Sequence, residues 1–368
     1  MKGVCPQCER HAWLLEKLGV RMDFRARDLT RLWSLLELSD SDLIDAVGGR
    51  RRGELHEAYK AWVGSEEPAE PDVERICRHH ASYPACLRGD ALAPVTLGVR
   101  GGLDRLHDTL ARKVVAVVGT RRATDYGMEL ARELARGLAS CGLTVASGMG
   151  EGIAGAVQAG VLEAGAMPLA VMAGSLERCS PVCWQPVYRR VVEEGCAISE
   201  QAVSGQTRER SWWRLAAERT LALLGELTIV VEAGEHPREI ACARVAWTRG
   251  VHVAAVPGRV TSPASKGTNE LLINGARLVR SAQDALDALY GVDVMRVSDK
   301  PSEQANAQAV LEPRLGRVLA DVGRGKDTVA RLTEGDVEPG ELALALAELE
   351  LKGLLVRGDA GRYVACGP

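Results

Sequence analysis

A Gly-Thr-Arg turn supplies the first group of residues that could do chemistry in this chain. Gly119, Thr120 and Arg121 follow the apolar run Val114–Val118, which is typical of a strand buried on both faces of a parallel sheet. Residues 126–138 then carry apolar side chains at helical spacing. A turn between a strand and a helix presents backbone N–H groups and the positive end of the helix dipole, and Arg121 adds a charge. We therefore predict an anion site at this turn, suited to phosphate.

A second glycine-rich turn follows the same plan. Gly148 and Gly152 come after a short apolar run at residues 143–147, and residues 153–163 have helical spacing. Further apolar runs suit buried strands at residues 169–174, 197–199, 228–232 and 251–256. Strands that alternate with helices predict a Rossmann-like, doubly wound, mostly parallel α/β sheet. In such sheets ligands bind at the carboxyl ends of the strands, where both glycine turns fall.

Four possible metal ligands form two pairs in the sequence. Cys5 and Cys8 are separated by two residues, and Cys77 and His79 follow later with one residue between them. Together they could hold a structural zinc ion in a tetrahedral site that ties the N-terminal segment to the sheet domain. One Cys-x-x-Cys pair is only half of a zinc signature, so ordinary thiols and a surface histidine remain the alternative. No other cofactor is expected to be required.

Length and pattern divide the chain into segments. The 368 residues are enough for two or three domains with sizeable cores. We predict a helical module at residues 1–82, a Rossmann-like domain at 83–292, a linker at 293–310 and a winged-helix-like domain at 311–368. The last assignment depends on three helical patterns followed by a hairpin pattern. The third of these helices carries several acidic side chains, which favours a protein-contact or regulatory role over strong duplex binding.

Composition and charge limit the possible partners. The net charge is −3 and 46% of the residues are hydrophobic, so only a local basic patch could attract nucleic acid. The N-terminus has no signal-peptide core, and no apolar run reaches membrane-spanning length. Ten cysteines without a secretion signal indicate thiols or metal rather than a disulfide framework. We therefore expect a cytoplasmic protein with no membrane partner.

Short motifs follow one another in a defined order across residues 83–289. They are Tyr83-Pro84, Val118-Gly-Thr-Arg121, Tyr126-Gly127, Ser147-Gly148, Gly152-Ile153, Val256-Pro-Gly258, Thr261-Ser-Pro263, Gly267-Thr-Asn269 and Gly275-Ala276. In this order they resemble the DprA/Smf family, the DNA-processing proteins of bacterial transformation. The resemblance implies single-stranded DNA as the ligand, a RecA-type recombinase as a partner and a homodimer, with no catalysis by the protein itself.

A DNA site can be sketched on this basis. The expected phosphate contacts are Gly119, Thr120, Arg121, Gly148, Gly152, Arg219 and Lys266. Trp212 and Trp213 are candidates for an aromatic platform on which bases stack. The competing interpretation places one of the two tryptophans in the core and makes Arg121 part of a structural salt bridge.

The second glycine turn departs from the family pattern. Glu151, Ala154 and Gln158 stand where the family usually carries an arginine, an aspartate and a histidine. A carboxylate at Glu151 repels phosphate, whereas an arginine would pair with it. A second hypothesis is therefore a divergent paralogue that keeps the fold and its partner surfaces but binds DNA weakly.

A third hypothesis is an enzyme that hydrolyses nucleotides. Pro257-Gly258 and the later segment Gly267-Thr-Asn-Glu270 are superficially similar to the Pro-Gly-Gly-x-Gly-Thr motif of nucleotide phosphoribohydrolases. The loop between the two pieces is too long for that motif, and no second glycine follows Gly258. Glycine turns alone also supply no nucleophile.

Overall fold

The computed structural model describes residues 3–25, 28–64, 72–201, 211–290, 313–324, 328–333, 339–351, 354–357 and 363–365. The chain divides into two compact units, Met1–Asp293 and Val294–Pro368. The predicted linker at residues 293–310 lies outside the described residues. The predicted domain boundaries stay predictions, although a unit boundary falls close to the expected end of the Rossmann-like domain.

The first unit is a sheet with helices on both faces and a helical module at its N-terminus. The module contains α1 (Pro6–Arg25), α2 (Leu29–Leu36), α3 (Asp40–Val47) and α4 (Arg52–Ala61). The remaining helices are α5 (Leu103–Leu110), α6 (Asp125–Ser140), α7 (Ile153–Glu163), α8 (Gln185–Glu194), α9 (Ser211–Leu224), α10 (Ala241–Thr248), α11 (Lys266–Ile273) and α12 (Ala282–Tyr290). The strands are β1 (Val73–Cys77), β2 (Thr96–Arg100), β3 (Val114–Val118), β4 (Thr144–Ser147), β5 (Leu169–Met172), β6 (Cys196–Ser199), β7 (Leu227–Val230), β8 (His252–Ala255) and β9 (Arg277–Leu278).

Nine strands form one sheet in the order β1-β2-β6-β5-β4-β3-β7-β8-β9. Each neighbouring pair from β6 to β9 is parallel, so the predicted Rossmann-like, mostly parallel sheet is confirmed. The structure adds three strands that the sequence patterns missed, and one of them, β9, extends the sheet beyond β8 as a parallel strand. β2 pairs antiparallel with β6, and β1 pairs antiparallel with β2 at the edge of the sheet.

The strand order reverses at β3. β4, β5 and β6 follow on one side of β3, and β7, β8 and β9 follow on the other. β3 and β7 are direct neighbours, with Val118 opposite Val230. A doubly wound sheet opens a crevice at such a switch point, outside the carboxyl ends of the two strands. The fold therefore places the Gly-Thr-Arg turn, which follows β3, at the rim of this crevice.

The two faces of β3 contribute to two separate cores. Val114, Ala116 and Val118 belong to one buried cluster, and Val115 and Val117 belong to the other. Successive side chains of a strand point to opposite faces, so a strand covered by helices on both sides must be apolar throughout. This is the physical basis of the continuous apolar runs in the sequence.

The helical module packs against α9. Apolar side chains of α1, α2 and α3 share one buried cluster with Trp212 and Trp213. The carboxylate of Asp23 in α1 also accepts a hydrogen bond from the backbone N–H of Trp212 at 2.6 Å. These contacts fix the first turn of α9, which forms one wall of the crevice.

The second unit contains three helices and a strand pair in its described part. They are α13 (Pro313–Gly323), α14 (Val329–Leu332), α15 (Pro339–Leu351), β10 (Leu355–Arg357) and β11 (Tyr363–Ala365), the two strands being antiparallel. Leu315, Leu342, Leu349 and Tyr363 are among its buried core residues. This element order agrees with the predicted one, and the winged-helix assignment itself stays a prediction. Among the described helices of both units, none combines the length and apolar character needed to cross a membrane.

Candidate functional site

A crevice of about 520 Å³ lies at the switch point between β3 and β7. It is bounded by the turns after β3, β4 and β7 and by one face of α9. Its lining consists of Gly119, Thr120, Arg121, Arg122, Glu151, Arg214, Leu215, Glu218, His236, Arg238 and Glu239. A volume of this size suits a nucleotide-sized group.

The two glycine turns are packed against each other. The backbone N–H of Thr120 donates to the carbonyl of Glu232 at 2.7 Å, and the N–H of Ile153 donates to the carbonyl of Thr120 at 3.2 Å. Gly152 has a φ of +71°, and a Cβ there would lie 2.3 Å from the carbonyl oxygen of Thr120. These two N–H groups are thus used inside the protein. The N–H of Thr120 is therefore not free for a phosphate, whereas Gly119 and Thr120 line the crevice and stay predicted contacts. Gly152 allows the close approach of the two turns.

Gly148 also has a structural place. Its carbonyl accepts a hydrogen bond from Nε2 of the buried Gln158 at 3.2 Å, and it is not among the residues that line the crevice. Gln158, which also donates to the carbonyl of Leu169 in β5, thus ties the second turn to the sheet.

A carboxylate of the chain itself occupies the N-terminus of α6. Glu232, which follows β7 and is 6% exposed, accepts hydrogen bonds from the backbone N–H of Thr124 at 2.8 Å and from its hydroxyl at 2.6 Å. A Cβ on Gly127 would lie 2.3 Å from Cδ of Glu232, so only glycine leaves room for this carboxylate. The helix end that was predicted to receive a phosphate is therefore already neutralised by an internal anion. Sequence reasoning missed Glu232, although a glutamate after a buried strand and Gly127 in the first turn of α6 are the signals.

Arg121 lines the crevice but is not alone there. Its Nη2 lies 3.1 Å from Oε2 of Glu151, and both side chains are partly exposed. Glu151 therefore lowers the net positive charge that Arg121 offers to a ligand. Lys266 lies outside the crevice lining and pairs with Glu235 at 2.9 Å.

Three more arginines, which sequence reasoning missed, complete the charge of the crevice. Arg122 follows Arg121 directly, Arg214 lies in the first turn of α9, and Arg238 follows β7. The guanidinium groups of Arg122 and Arg214 are exposed and make no hydrogen bond or close ion pair with any described residue. Only the folded sheet brings these arginines together, because they come from three separate parts of the chain.

Arg219 cannot serve as a phosphate ligand in this structure. It is 3% exposed and forms a buried ion pair with Glu200, which also accepts the hydroxyl hydrogen of Thr220. Its guanidinium carbon lies 5.8 Å from the centroid of the Trp33 ring. The prediction that Arg219 contacts DNA is therefore wrong, since a buried charge with these partners has a structural role.

The predicted aromatic platform is also absent. Trp212 is 0% exposed and Trp213 is 5% exposed, because both pack against the N-terminal helices. Neither ring offers a face to a base, so the stacking prediction is wrong for both residues. The competing core interpretation, which was expected for one of them, holds for the pair.

Glu218 gives the crevice a group that changes charge near neutrality. Burial raises the pKa of its carboxyl to about 7, and the nearby Arg214 acts in the opposite direction. Its Oε2 atom is buried and has no hydrogen-bond partner among the described residues. Glu218 lines the crevice together with the arginines, so its charge state changes the electrostatic balance that a ligand there would meet.

The four predicted metal ligands lie together, away from the crevice. Nδ1 of His79 is 3.4 Å from Sγ of Cys5 and 3.3 Å from Sγ of Cys8. The ligand atoms of these three residues and of Cys77 all lie within 4.8 Å of one another. The fold thus brings the two sequence pairs into one cluster of three thiols and one imidazole.

The motifs Val256-Pro-Gly258 and Gly267-Thr-Asn269 are the two halves of one structural motif. The side-chain oxygen of Asn269 accepts the N–H of Gly258 at 3.2 Å, and its Nδ2 donates to the carbonyl of Gly258 at 3.1 Å. The two halves of the motif are therefore held together by one asparagine. Gly258 and Asn269 therefore have a structural role.

Comparisons with known proteins agree with the resemblance seen in the sequence. The sequence model of the family described as DNA recombination-mediator protein A matches residues 74–290. The protein described as putative DNA processing protein DprA of Mycobacterium tuberculosis is 33% identical over 272 residues, which cover 71% of this chain and 69% of that protein.

Two solved structures are similar over the same region. DNA processing protein A of Streptococcus pneumoniae superposes with a TM-score of 0.58 at 25% identity, covering 78% of this chain and 98% of that one. The Helicobacter pylori protein, whose structure is described in terms of its single-stranded DNA binding mode, gives a TM-score of 0.50 at 25% identity, covering 59% of this chain and 99% of that one. The predicted family assignment is confirmed.

The internal carboxylate at α6 can be tested by substitution. We expect Glu232→Ala to lower the free energy of unfolding by about 1–3 kcal/mol, because the two hydrogen bonds from Thr124 to this buried carboxylate are lost. Glu232→Gln keeps an acceptor oxygen and should lose less. Sulfate should raise the melting temperature of Glu232→Ala more than that of the wild type, since an anion can then bind the vacated helix end. An equal response of all three proteins to sulfate would contradict this assignment.

Proposed function

The chain belongs to the DNA recombination-mediator protein A family, and on this premise we propose that it binds single-stranded DNA without catalysis. The observation that carries the proposal is the group of four arginines around the switch-point crevice, Arg121, Arg122, Arg214 and Arg238. The planar guanidinium fork matches phosphate geometry. With a net charge of −3 for the whole chain, binding must depend on such a local group.

The balance of charge in the crevice favours two of these arginines as the main contacts. Glu151 pairs with Arg121, and Glu239 accepts the N–H of Gly234 at 2.7 Å. Arg122 and Arg214 are exposed and keep their donors for a ligand. Phosphate contacts of this kind carry no sequence information, so we propose binding that tolerates any base sequence.

Base contacts contribute less in this proposal than in a site with an exposed tryptophan. The crevice offers the exposed ring of His236, and guanidinium planes can also contact bases. The affinity should therefore come mainly from phosphates.

A second candidate is a divergent family member that acts through protein contacts. It is favoured by the ion pair between Arg121 and Glu151 and by the internal carboxylate at the N-terminus of α6. Both features reduce the attraction for phosphate. The two candidates differ in whether the crevice arginines matter for DNA binding.

The double variant Arg122→Ala/Arg214→Ala separates them. Each charge-assisted contact is worth about 1.5–3 kcal/mol, so we expect each substitution to weaken binding of a labelled single-stranded oligonucleotide about tenfold or more. The plot of log affinity against log salt should also become shallower by about 0.7 for each lost contact. Fluorescence anisotropy over a range of salt concentrations measures both quantities.

Arg112 provides the matched control. It is exposed and precedes β3, whereas Arg122 follows it, so the two lie at opposite ends of the same strand. Arg112→Ala should leave affinity and salt slope unchanged. Equal binding by the double variant and the wild type would overturn the proposed site, and an absence of binding by the wild type even at low salt would favour the divergent member.

A pH dependence follows from Glu218. Its pKa of about 7 makes the carboxyl neutral in acid and negative in base, so DNA affinity should fall as the pH rises from about 6 to about 8. The folded protein also holds this proton more tightly than the unfolded chain, in which the pKa is near 4.5, so stability should fall as the pH rises from about 4.5 to about 7 and then level off. Glu218→Gln should remove the pH dependence of affinity and of stability that comes from Glu218. His236→Gln is the control for the imidazole side chain that also lines the crevice. Identical pH profiles for Glu218→Gln and the wild type would contradict the role of Glu218.

We further propose that the chain acts as a homodimer that delivers single-stranded DNA to a RecA-type recombinase. Family membership supports this role. Light scattering should give twice the chain mass, and strand exchange on DNA coated with single-strand-binding protein should begin sooner when the wild type is added. The double variant Arg122→Ala/Arg214→Ala should lose most of this stimulation. A monomer, or equal stimulation by the double variant, would count against the proposal.

A further inference from the structure

Three thiols and one imidazole from two distant segments meet at the edge of the sheet. Cys5 and Cys8 lie at the start of α1, Cys77 is the last residue of β1, and His79 lies in the turn that follows. We propose that these four residues bind one structural zinc ion that fastens α1 to β1.

The distances fit a tetrahedral ion. With zinc–sulfur bonds of about 2.3 Å and zinc–nitrogen bonds of about 2.0–2.1 Å, a ring nitrogen and a sulfur on the same ion lie about 3.6 Å apart. The measured separations from Nδ1 of His79 are 3.4 Å to Cys5 and 3.3 Å to Cys8. One ring nitrogen lies almost equally far from two sulfurs, which a single hydrogen bond does not explain and a shared ion does.

The surrounding structure holds the donors in place. Cys8 and Cys77 are each 2% exposed, and the N–H of Cys5 points to Sγ of Cys77 at 3.5 Å. Gly3 brings the chain against β1, since a Cβ there would lie 2.5 Å from the carbonyl oxygen of Arg75. The donors are therefore positioned by packing as well as by their spacing in the sequence.

The neighbouring histidine is excluded as the ligand. Nδ1 of His80 accepts the backbone N–H of Ser82 at 3.2 Å, and only His79 joins the cluster. The choice between the two adjacent histidines is thus set by the turn after β1.

The chemistry of the donors selects the metal and its role. Thiolates and imidazole are soft or borderline ligands that suit zinc and do not suit magnesium or calcium. Four protein ligands close the tetrahedron, so no position is left for a substrate, and the site is structural. Binding displaces the protons of the three thiols, because only thiolates coordinate the ion.

Zinc would stabilise the part of the molecule that supports the crevice. α1 packs on Trp212 and Trp213 in the first turn of α9. Helix α9 also carries Arg214 and Glu218, which line the crevice. The ion would also fasten β1, the edge strand of the sheet, where unpaired backbone groups are exposed to pairing with other chains. Loss of zinc should therefore loosen the helical module first.

Metal analysis of the full-length protein tests the proposal. We expect about one zinc ion per chain in the wild type and a clear loss in Cys8→Ser and in His79→Gln. Cys141→Ser is the matched control, because Cys141 is an exposed thiol outside the cluster, and it should keep its zinc. His79 is exposed, so His79→Gln should fold even where Cys8→Ser does not.

Cobalt gives a second readout that does not depend on stability. Replacement of zinc by Co²⁺ should produce the visible absorption of a tetrahedral cobalt–thiolate site in the wild type and in Cys141→Ser, with a changed spectrum in His79→Gln. A wild type that binds neither zinc nor cobalt overturns the proposal. Unchanged metal content and spectrum in both Cys8→Ser and His79→Gln would do so as well.

Discussion

The carboxylate of Glu232 at the N-terminus of α6 is the interaction on which the architecture of the crevice depends. Glu232 joins the ends of β3 and β7 in two ways. Its carboxylate accepts two hydrogen bonds from Thr124, and its backbone carbonyl accepts the N–H of Thr120. A doubly wound sheet usually leaves this helix end for a ligand phosphate. Here that helix end is filled by Glu232, so an anion in the crevice depends mainly on the arginine side chains that line it.

This constraint changes what each charged residue can do. Arg219 and Glu200 neutralise each other in the interior, and Arg121 shares its charge with Glu151 at the rim. The exposed guanidinium groups of Arg122 and Arg214 remain the groups best placed to meet phosphates. Binding through flexible side chains suits a ligand that is held by its backbone and not read by its bases.

Local pattern was sufficient for the parallel centre of the sheet but not for its edge strands β1, β2 and β9 or for the site. The apolar runs predicted the parallel strands because a strand covered on both faces leaves no position for polar side chains. The burial of Trp212 and the pair of Arg219 with Glu200 arise from contacts between segments far apart in sequence, which no local pattern reveals. The zinc ligands could be proposed early because each half of the cluster is a short motif, and only the fold could bring Cys77 and His79 to Cys5 and Cys8.

Photo-crosslinking tests most directly whether single-stranded DNA lies in the switch-point crevice. An oligonucleotide with photoreactive bases is bound at low salt, irradiated and digested with the protein, and the linked peptides are identified by mass spectrometry. We expect the crosslinks to fall on the segments after β3 and β7 and on the first turns of α9, where Arg122, His236 and Arg214 line the crevice. Crosslinks confined to other surfaces, with none on these segments, would contradict a DNA site at the switch point.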